Sequence, residues 1–467
     1  MRFQNINASL LLSLVLGSLI VHFSLAFAIH STPRQQHASP RVIVIGGGPG
    51  GLIVSILLNN IGINTTILEE ARGPDEWSSK SYAMSLNERG KAALDRAGCL
   101  ESAMRVGNEK TCSYFVDGIT GDIKTIPRRE DTPSLGLSRP LLVECIEGVA
   151  TDLSRVTLRK GAGCSHVTED GGEPGLLRVH LEDGAVISGA THVVGADGKW
   201  SNVRQSFPAL DCQANLVSCT GLGFSCLVNP FQKDLRKNDG TYVILPSTVA
   251  ADGESPSSAP PPPPDFYIIA SHLTNGVGMS IAMVCSDNIT KKYPWLQPET
   301  DPKPNDLVKG GWEDEISLEK EKLTVPKDFT NDDLANKLER LFHETVPAFH
   351  AILDERFYKN ARINRRASWL QMSPAEGTTI VSYSTEEGNV AVVGDAAHAM
   401  TASMGEGGNC AMESAVKLVD AVILAMEEKG ETDCTVDTMN EAFLKYGTSR
   451  PKEVQPVQEM SAARNNK

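Results

Sequence analysis

The stretch that most restricts how this chain can fold is Gly46-Gly47-Gly48-Pro49-Gly50-Gly51, directly behind the apolar run Arg41-Val42-Ile43-Val44-Ile45. A short apolar run ending in glycines reads as a buried parallel strand. Ile53, Val54, Ile56, Leu57 and Leu58 then give a helix with one strongly apolar side, and Thr65-Thr66-Ile67-Leu68-Glu69 gives a second strand. Residues 41–70 are therefore expected to form a βαβ unit.

Within Gly46-x-Gly48-x-x-Gly51 each glycine has its own task. The first permits a tight turn, the second lets backbone approach a pyrophosphate, and the third lets helix and strand pack closely. The helix start offers unpaired N–H groups and a positive dipole end to phosphate. Glu69 ends the second strand, where a carboxylate accepts hydrogen bonds from a ribose and disfavours a 2′-phosphate. The unit suits FAD or NAD better than NADP.

At 467 residues the chain is long enough for two packed domains. Its 41% hydrophobic and 22% charged residues describe a globular protein, neither disordered nor polytopic. A formal net charge of -14 argues against a nucleic-acid partner, because phosphate binding needs a basic surface. Ten cysteines occur without a CxxC pair, so neither a zinc site nor a thioredoxin-like redox pair is expected. No metal is implied.

Residues 1–28 carry a single basic residue, Arg2, then an apolar stretch reaching Phe27, with Ser24-Leu25-Ala26 supplying small residues for cleavage. This is a signal-peptide pattern; the alternative is a retained signal anchor, the one case in which a membrane would be involved. Residues 29–40 form a linker with Ser, Thr, Arg and no acidic residue, like a transit peptide. The two together resemble the bipartite presequences of algae with secondary plastids. Plastid import is the expectation, and secretion or retention in the endoplasmic reticulum is the alternative. Asn64-Thr65-Thr66 and Asn288-Ile289-Thr290 are glycosylation sequons.

Further along, residues 85–100 read as a helix region. Alternation around 177–180 and 186–187 predicts antiparallel strands, and 191–195 predicts a buried strand. Residues 242–245 and 266–270 are expected to pair, separated by an exposed Pro-rich loop over 255–264. Residues 312–322 form a charged, solvated stretch. A helix opens at Thr330-Asn331-Asp332-Asp333 with Leu334, Leu338, Leu341 and Phe342 on its apolar face; a strand over 389–393 and a helix over 410–427 follow.

Two more strand–turn–helix junctions carry chemistry. One is Gly195-Ala196-Asp197-Gly198, running on to Arg204. The other is Gly394-Asp395-Ala396-Ala397-His398-Ala399-Met400, continuing to Gly405-Glu406-Gly407-Gly408-Asn409. An aspartate there can accept from a ribityl hydroxyl, or it can simply cap the helix.

In order and separation the three motifs resemble those of the class A flavoprotein monooxygenases, the p-hydroxybenzoate-hydroxylase type, across nearly all of residues 41–461. The resemblance implies an α/β fold: a Rossmann-like FAD-binding domain of the GR2 type, an inserted, mostly antiparallel β-sheet substrate domain, and C-terminal helices. Segments 41–110, 136–212 and 386–461 would bind FAD; 111–135 and 213–385 would form the substrate domain. It also implies that Gly46, Gly48, Gly51 and Glu69 hold the ADP half, with Arg139 reaching the cofactor from an early helix. Asp197 and Gly198 would lie near the pyrophosphate and the nicotinamide approach. Asp395 would bind the ribityl chain, and Gly405, Gly407 and Asn409 would sit beside the isoalloxazine.

The run Ser81-Tyr82-Ala83-Met84-Ser85-Leu86-Asn87-Glu88-Arg89-Gly90 is similar to the kynurenine 3-monooxygenase branch, as is Leu137-Ser138-Arg139. The chain departs from that branch where an arginine and a tyrosine grip the substrate carboxylate: those positions fall near Ser113 or Tyr114 and Arg128. Thr401-Ala402-Ser403 replaces a proline-containing turn, in a run that also resembles zeaxanthin epoxidases, and Glu406 replaces a glutamine. Glu406 is the catalytic candidate, the residue expected to touch the reacting region, where its carboxylate would repel an acidic substrate. His398 reads as structural.

The implied reaction is reduction of FAD by NAD(P)H, addition of O2, and delivery of one oxygen atom from a flavin hydroperoxide to a small aromatic or isoprenoid metabolite. A flavin reductase or dehydrogenase of the same fold, and an FAD-binding protein without turnover, remain the alternatives.

Overall fold

The computed structural model describes residues 39–73, 83–127, 133–210, 212–226, 239–246, 266–272, 279–285, 287–296, 331–353, 358, 362–374, 381–400 and 405–463. The targeting segment, Ser81, Tyr82, Arg128, the Pro-rich loop, the charged stretch 312–322 and Thr401 to Ser403 lie outside them.

Five strands make one parallel sheet in the order Val390–Val392, His192–Gly195, Arg41–Ile45, Asn64–Glu69, Val156–Lys160. Val44, Ile67, Val193, Val194, Val390 and Ala391 are fully buried within it, as the continuous apolar runs require of strands covered on both faces. Register fixes the functional edge. Ile45 pairs with Gly195, and Gly195 with Val392, so the three glycine turns leave the sheet at one level of its carboxyl edge. Ligands bind outside that edge in open α/β sheets. The helix Pro49–Asn60 and the long helix Gly407–Lys429 pack together there: a Cβ on Gly50 would lie 3.6 Å from the Ala411 carbonyl.

Cys164–Glu169, Leu177–Leu181 and Val186–Ala190 form an antiparallel meander, matching the alternation in the sequence. A seven-stranded sheet runs Arg362–Pro374, Cys212–Cys226, Met279–Cys285, Phe266–His272, Gly240–Leu245, Cys112–Asp117, Ile123–Pro127. It is antiparallel except between Gly240–Leu245 and Cys112–Asp117, and Ile244 pairs with Ile268 as expected. The helix Asn331–Thr345 contributes Leu338, Leu341 and Phe342 to a second core with Val116, Tyr242, Phe266 and Met283.

The helix expected over 85–100 is present as Glu88–Arg96, and only its bounds are corrected. Ala83–Leu86 is a strand, paired with Ser134–Ser138, which also pairs with Asn108–Lys110. Asn87 then caps the helix Glu88–Arg96, its Oδ1 accepting from the N–H groups of Arg89 at 3.0 Å and Gly90 at 3.3 Å. An asparagine at the N-cap sets the helix start, and a second helix begins at Leu100.

Candidate functional site

The glycine loop is built by steric exclusion. Gly46 has φ +102°, and a Cβ there would lie 2.4 Å from the Ala196 carbonyl oxygen. A Cβ on Gly51 would lie 2.1 Å from the Gly46 oxygen. Gly48 differs: the nearest atom to its Cβ position is an Arg139 guanidinium nitrogen at 3.7 Å. Bare backbone and one cation thus face the same space. Glu69 clamps the loop, its Oε2 accepting from Gly47 N–H at 2.6 Å and its Oε1 from Ala71 N–H at 2.8 Å. Charged acceptors make the stronger hydrogen bonds, about 1.5–3 kcal/mol each.

Beside it stands the turn after His192–Gly195. Asp197 Oδ2 accepts from Val203 N–H at 3.2 Å, while Oδ1 is buried without a hydrogen-bond partner among the described residues. Burial pushes this carboxyl up, against bonds from Ser201 and Val203 and the nearby Arg204. Gly198 continues the turn at φ +82°. Arg204, 4% exposed, donates to the Lys199 carbonyl at 3.0 Å and to the Ala396 carbonyl at 2.6 Å, joining this turn to the next.

In that next turn Gly394 takes φ +63° and Asp395 is exposed between buried neighbours. A Cβ on Gly407 would lie 3.9 Å from Asp395 Oδ1, so this carboxylate reaches the first turn of the long helix. Gly405, at φ +68°, is open on its Cβ side. His398 is buried, its Nε2 2.8 Å from Ser414 Oγ, and burial and then Arg450 hold it down at about 3. It is a neutral core residue.

Asn409 and Glu406 turn the other way. Asn409, 2% exposed, accepts from Asn87 N–H at 3.1 Å and donates to the carbonyls of Ser85 at 3.0 Å and Gly405 at 3.1 Å. Its amide ties the strand Ala83–Leu86 to the long helix. Glu406 meets Arg89 Nη2 at 2.6 Å and accepts from Asn87 Nδ2 at 3.0 and 3.2 Å. The Glu406 carboxylate is therefore ion-paired, sharing Arg89 with Glu413, rather than standing alone.

The structure therefore brings Gly46, Gly48, Gly51, Glu69, Arg139, Asp197, Gly198, Asp395, Gly405 and Gly407 to one edge, and makes Asn409 and Glu406 part of its frame. Reading the sequence missed Arg204, Asn87 and Arg89 as builders of the site, although all three lie inside the motif runs. A surface pocket of about 310 Å³ lined by Lys91, Asp95, Leu100, Met104, Glu109 and Leu135 contains none of these residues. Among the described residues no cluster of His, Cys, Asp or Glu could hold a metal, and no helix is long and apolar enough to cross a membrane.

A carboxylate oxygen buried without a donor and a loop whose Gly48 faces a guanidinium rather than packed backbone fit a ligand that brings hydroxyls and phosphates. Fold and site together define the class: the architecture of the class A FAD-dependent monooxygenases. The model of the FAD binding domain matches residues 40–236 and 317–442, and the chain belongs to that family. Among curated proteins it is 31% identical over 183 residues to 6-methylpretetramide 4-monooxygenase of Streptomyces rimosus, covering 38% of this chain and 42% of that one. It is likewise 31% identical over 175 residues to 3-hydroxybenzoate 6-hydroxylase 1 of Aquipseudomonas alcaligenes, covering 35% and 42%. The matched part thus spans about two-fifths of these relatives. Klebsiella pneumoniae HpxO, solved with FAD and uric acid, shares the fold at a TM-score of 0.61 and 19% identity, over 91% of this chain and 88% of that one.

Proposed function

We propose that the protein is an FAD-dependent monooxygenase that uses NAD(P)H and O2 to insert one oxygen atom into a small aromatic or isoprenoid metabolite. The observation that carries this reading is the convergence of three glycine turns around a buried, donor-seeking Asp197 oxygen, in a chain of the FAD binding domain family. Bound FAD would supply the redox chemistry, taking two electrons from the nicotinamide and activating O2. A relative named for 3-hydroxybenzoate favours the aromatic substrate over the isoprenoid one.

The chain's own residues bind and orient. Backbone N–H groups at Gly48 to Gly51 and the Arg139 guanidinium hold the pyrophosphate; Pro49, at the first helical position, forfeits no needed donor. Glu69 fixes the loop with one lone pair per oxygen and keeps the others for the ribose hydroxyls. Asp197 Oδ1 and Asp395 accept from hydroxyls of the bound cofactor, and Gly198 keeps side chains out of the nicotinamide approach. Gly405 and Gly407 let backbone face the ring system, held in register by Asn409. Glu406 serves that frame through Arg89. Residues 1–40 act as the import signal for a plastid; a fluorescent fusion of residues 1–45 that labels only the endomembrane system or the medium overturns that part.

The test is direct. Purified protein should carry flavin absorbance, and a metabolite panel should reveal NAD(P)H oxidation matched one-to-one by O2 uptake with an oxygenated product. Absence of bound flavin, or substrate-dependent NAD(P)H oxidation without O2 uptake, would refute it.

A further inference from the structure

Glu406 occupies the N-cap of the 23-residue helix Gly407–Lys429, yet its side chain makes no capping bond and the first turn holds no other acidic residue. A carboxylate at that position would ordinarily accept from the first-turn N–H groups or set its charge in front of them. Here it is drawn aside. Arg89 Nη2 lies 2.6 Å from Glu406 Oε2 and Asn87 Nδ2 holds both carboxylate oxygens. The anchor is itself anchored: Arg89 Nη1 meets Glu413 at 3.3 Å, and Glu413 meets the 3%-exposed Arg450 at 2.7 Å. Arg450 also donates to Ser414 at 3.0 Å, beside His398. The pair is half-shielded, Arg89 at 35% and Glu406 at 19% exposure, so water only partly screens it.

We propose that Arg89 is a positioning residue that sets the reduction potential of the flavin, by holding the Glu406 carboxylate off the first turn of the long helix and cancelling its charge. The inference rests on the reading that the turn from Gly405 to Asn409 faces the flavin ring. Two-electron reduction adds electron density to that ring, so a negative charge released beside it disfavours reduction while the bare helix start favours it.

The experiment measures the two-electron potential of the bound flavin, by dye-coupled anaerobic titration with dithionite, in the wild type, Arg89→Ala, Arg89→Lys, Glu406→Gln and Arg89→Ala/Glu406→Gln. Arg89→Ala should shift the equilibrium against reduction by about tenfold or more, which is about 30 mV for two electrons. The double variant, in which both charges of the pair are gone, should return to near the wild-type value, and Arg89→Lys should stay near wild type. Should Arg89→Ala lose flavin, retention by the double variant supports the same account, and loss by both overturns it. An unshifted Arg89→Ala, or equal shifts in Arg89→Ala and the double variant, also overturns it. Failure of the functional reading looks different, because the wild type would then carry no flavin.

Discussion

Gly48 and Gly51 lie three positions apart in one loop, and the structure assigns them opposite costs on replacement by alanine. At Gly51 the new Cβ would sit 2.1 Å from the Gly46 oxygen and 3.2 Å from both Ala196 Cβ and Val44 Cγ1. The first obstacle is backbone in a loop whose own φ of +102° is fixed by contact with Ala196, so relief requires moving the helix start by roughly 1 Å. Overpacking of this kind costs about 1–3 kcal/mol, and at the top of that range where backbone must give. At Gly48 the backbone is extended, at φ −73° and ψ 176°, and the Cβ meets only the Arg139 guanidinium at 3.7 Å. The fold loses nothing there, and the smaller unfolded-state entropy of alanine adds about 0.4–1 kcal/mol. That methyl would, however, stand where a pyrophosphate must approach. Thermal unfolding of the flavin-free variants should therefore show Gly51→Ala well below wild type and Gly48→Ala equal to or above it. FAD titration by flavin fluorescence should show Gly48→Ala weakened at least about tenfold, the equivalent of 1.4 kcal/mol. A Gly48→Ala protein that binds FAD like wild type, or a Gly51→Ala protein of unchanged stability, would refute the steric argument.

Asp197→Asn should raise flavin-free stability near neutral pH by about 1 kcal/mol, because it removes a charge whose Oδ1 is buried without a donor, and should weaken FAD binding; lower stability and unchanged binding would contradict this. The sign follows from linkage: a carboxyl raised in the folded state contributes stability at low pH and loses it as pH rises through its folded value. Histidines act in the opposite window. His192 and His398 are held down at about 3 and His272 at about 4, burial being the first cause in each, so folding is favoured above about 6.5 and that contribution is lost as pH falls toward 3–4. Each is worth at most about 3–5 kcal/mol, and His192→Gln should flatten the decline of the unfolding midpoint between pH 7 and 4; an unaltered slope would count against it. Arg204→Met keeps the aliphatic stem but leaves the Lys199 and Ala396 carbonyls without their donor, so it should cost about 3–5 kcal/mol and loosen FAD in proportion; a Met variant as stable as wild type would remove Arg204 from the frame.

The parts of the site legible in the sequence are those whose cause is local. Gly46 must take a positive φ and Gly51 must vanish against the strand, so both are written as glycine whatever surrounds them. The strands Arg41–Ile45 and His192–Gly195 announce themselves because burial on both faces makes their interiors, Val42 to Ile45 and Val193 to Val194, unbroken apolar runs. The antiparallel partners Gly240–Leu245 and Phe266–His272 show their alternation, whereas the parallel neighbour Cys112–Asp117 does not reveal which strand it will join. Ser85 and Leu86 read as helix because the pairing partner of their strand, Ser134–Ser138, is distant and Leu86 also fits the apolar pattern of the helix that Asn87 starts.

Charge is where local reading fails, and the reason is geometric. Glu406 reads as an unneutralised carboxylate because its cation stands 317 positions away, on a helix whose packing against Gly407–Lys429 no spacing encodes. Asn409 holds the same two elements together through Asn87 and Ser85, and Gly90 must lack a Cβ because one there would lie 2.3 Å from Asn409 Oδ1. Arg89 and Gly90 are therefore adjacent for connected reasons: the glycine lets the helices approach, and that approach lets the arginine reach Glu406 and Glu413. A Gly90 substitution should accordingly behave as an electrostatic mutation as well as a packing one, releasing Glu406 without touching its chemistry. The Arg-Gly dipeptide is the sequence trace of an ion pair that only the folded chain completes.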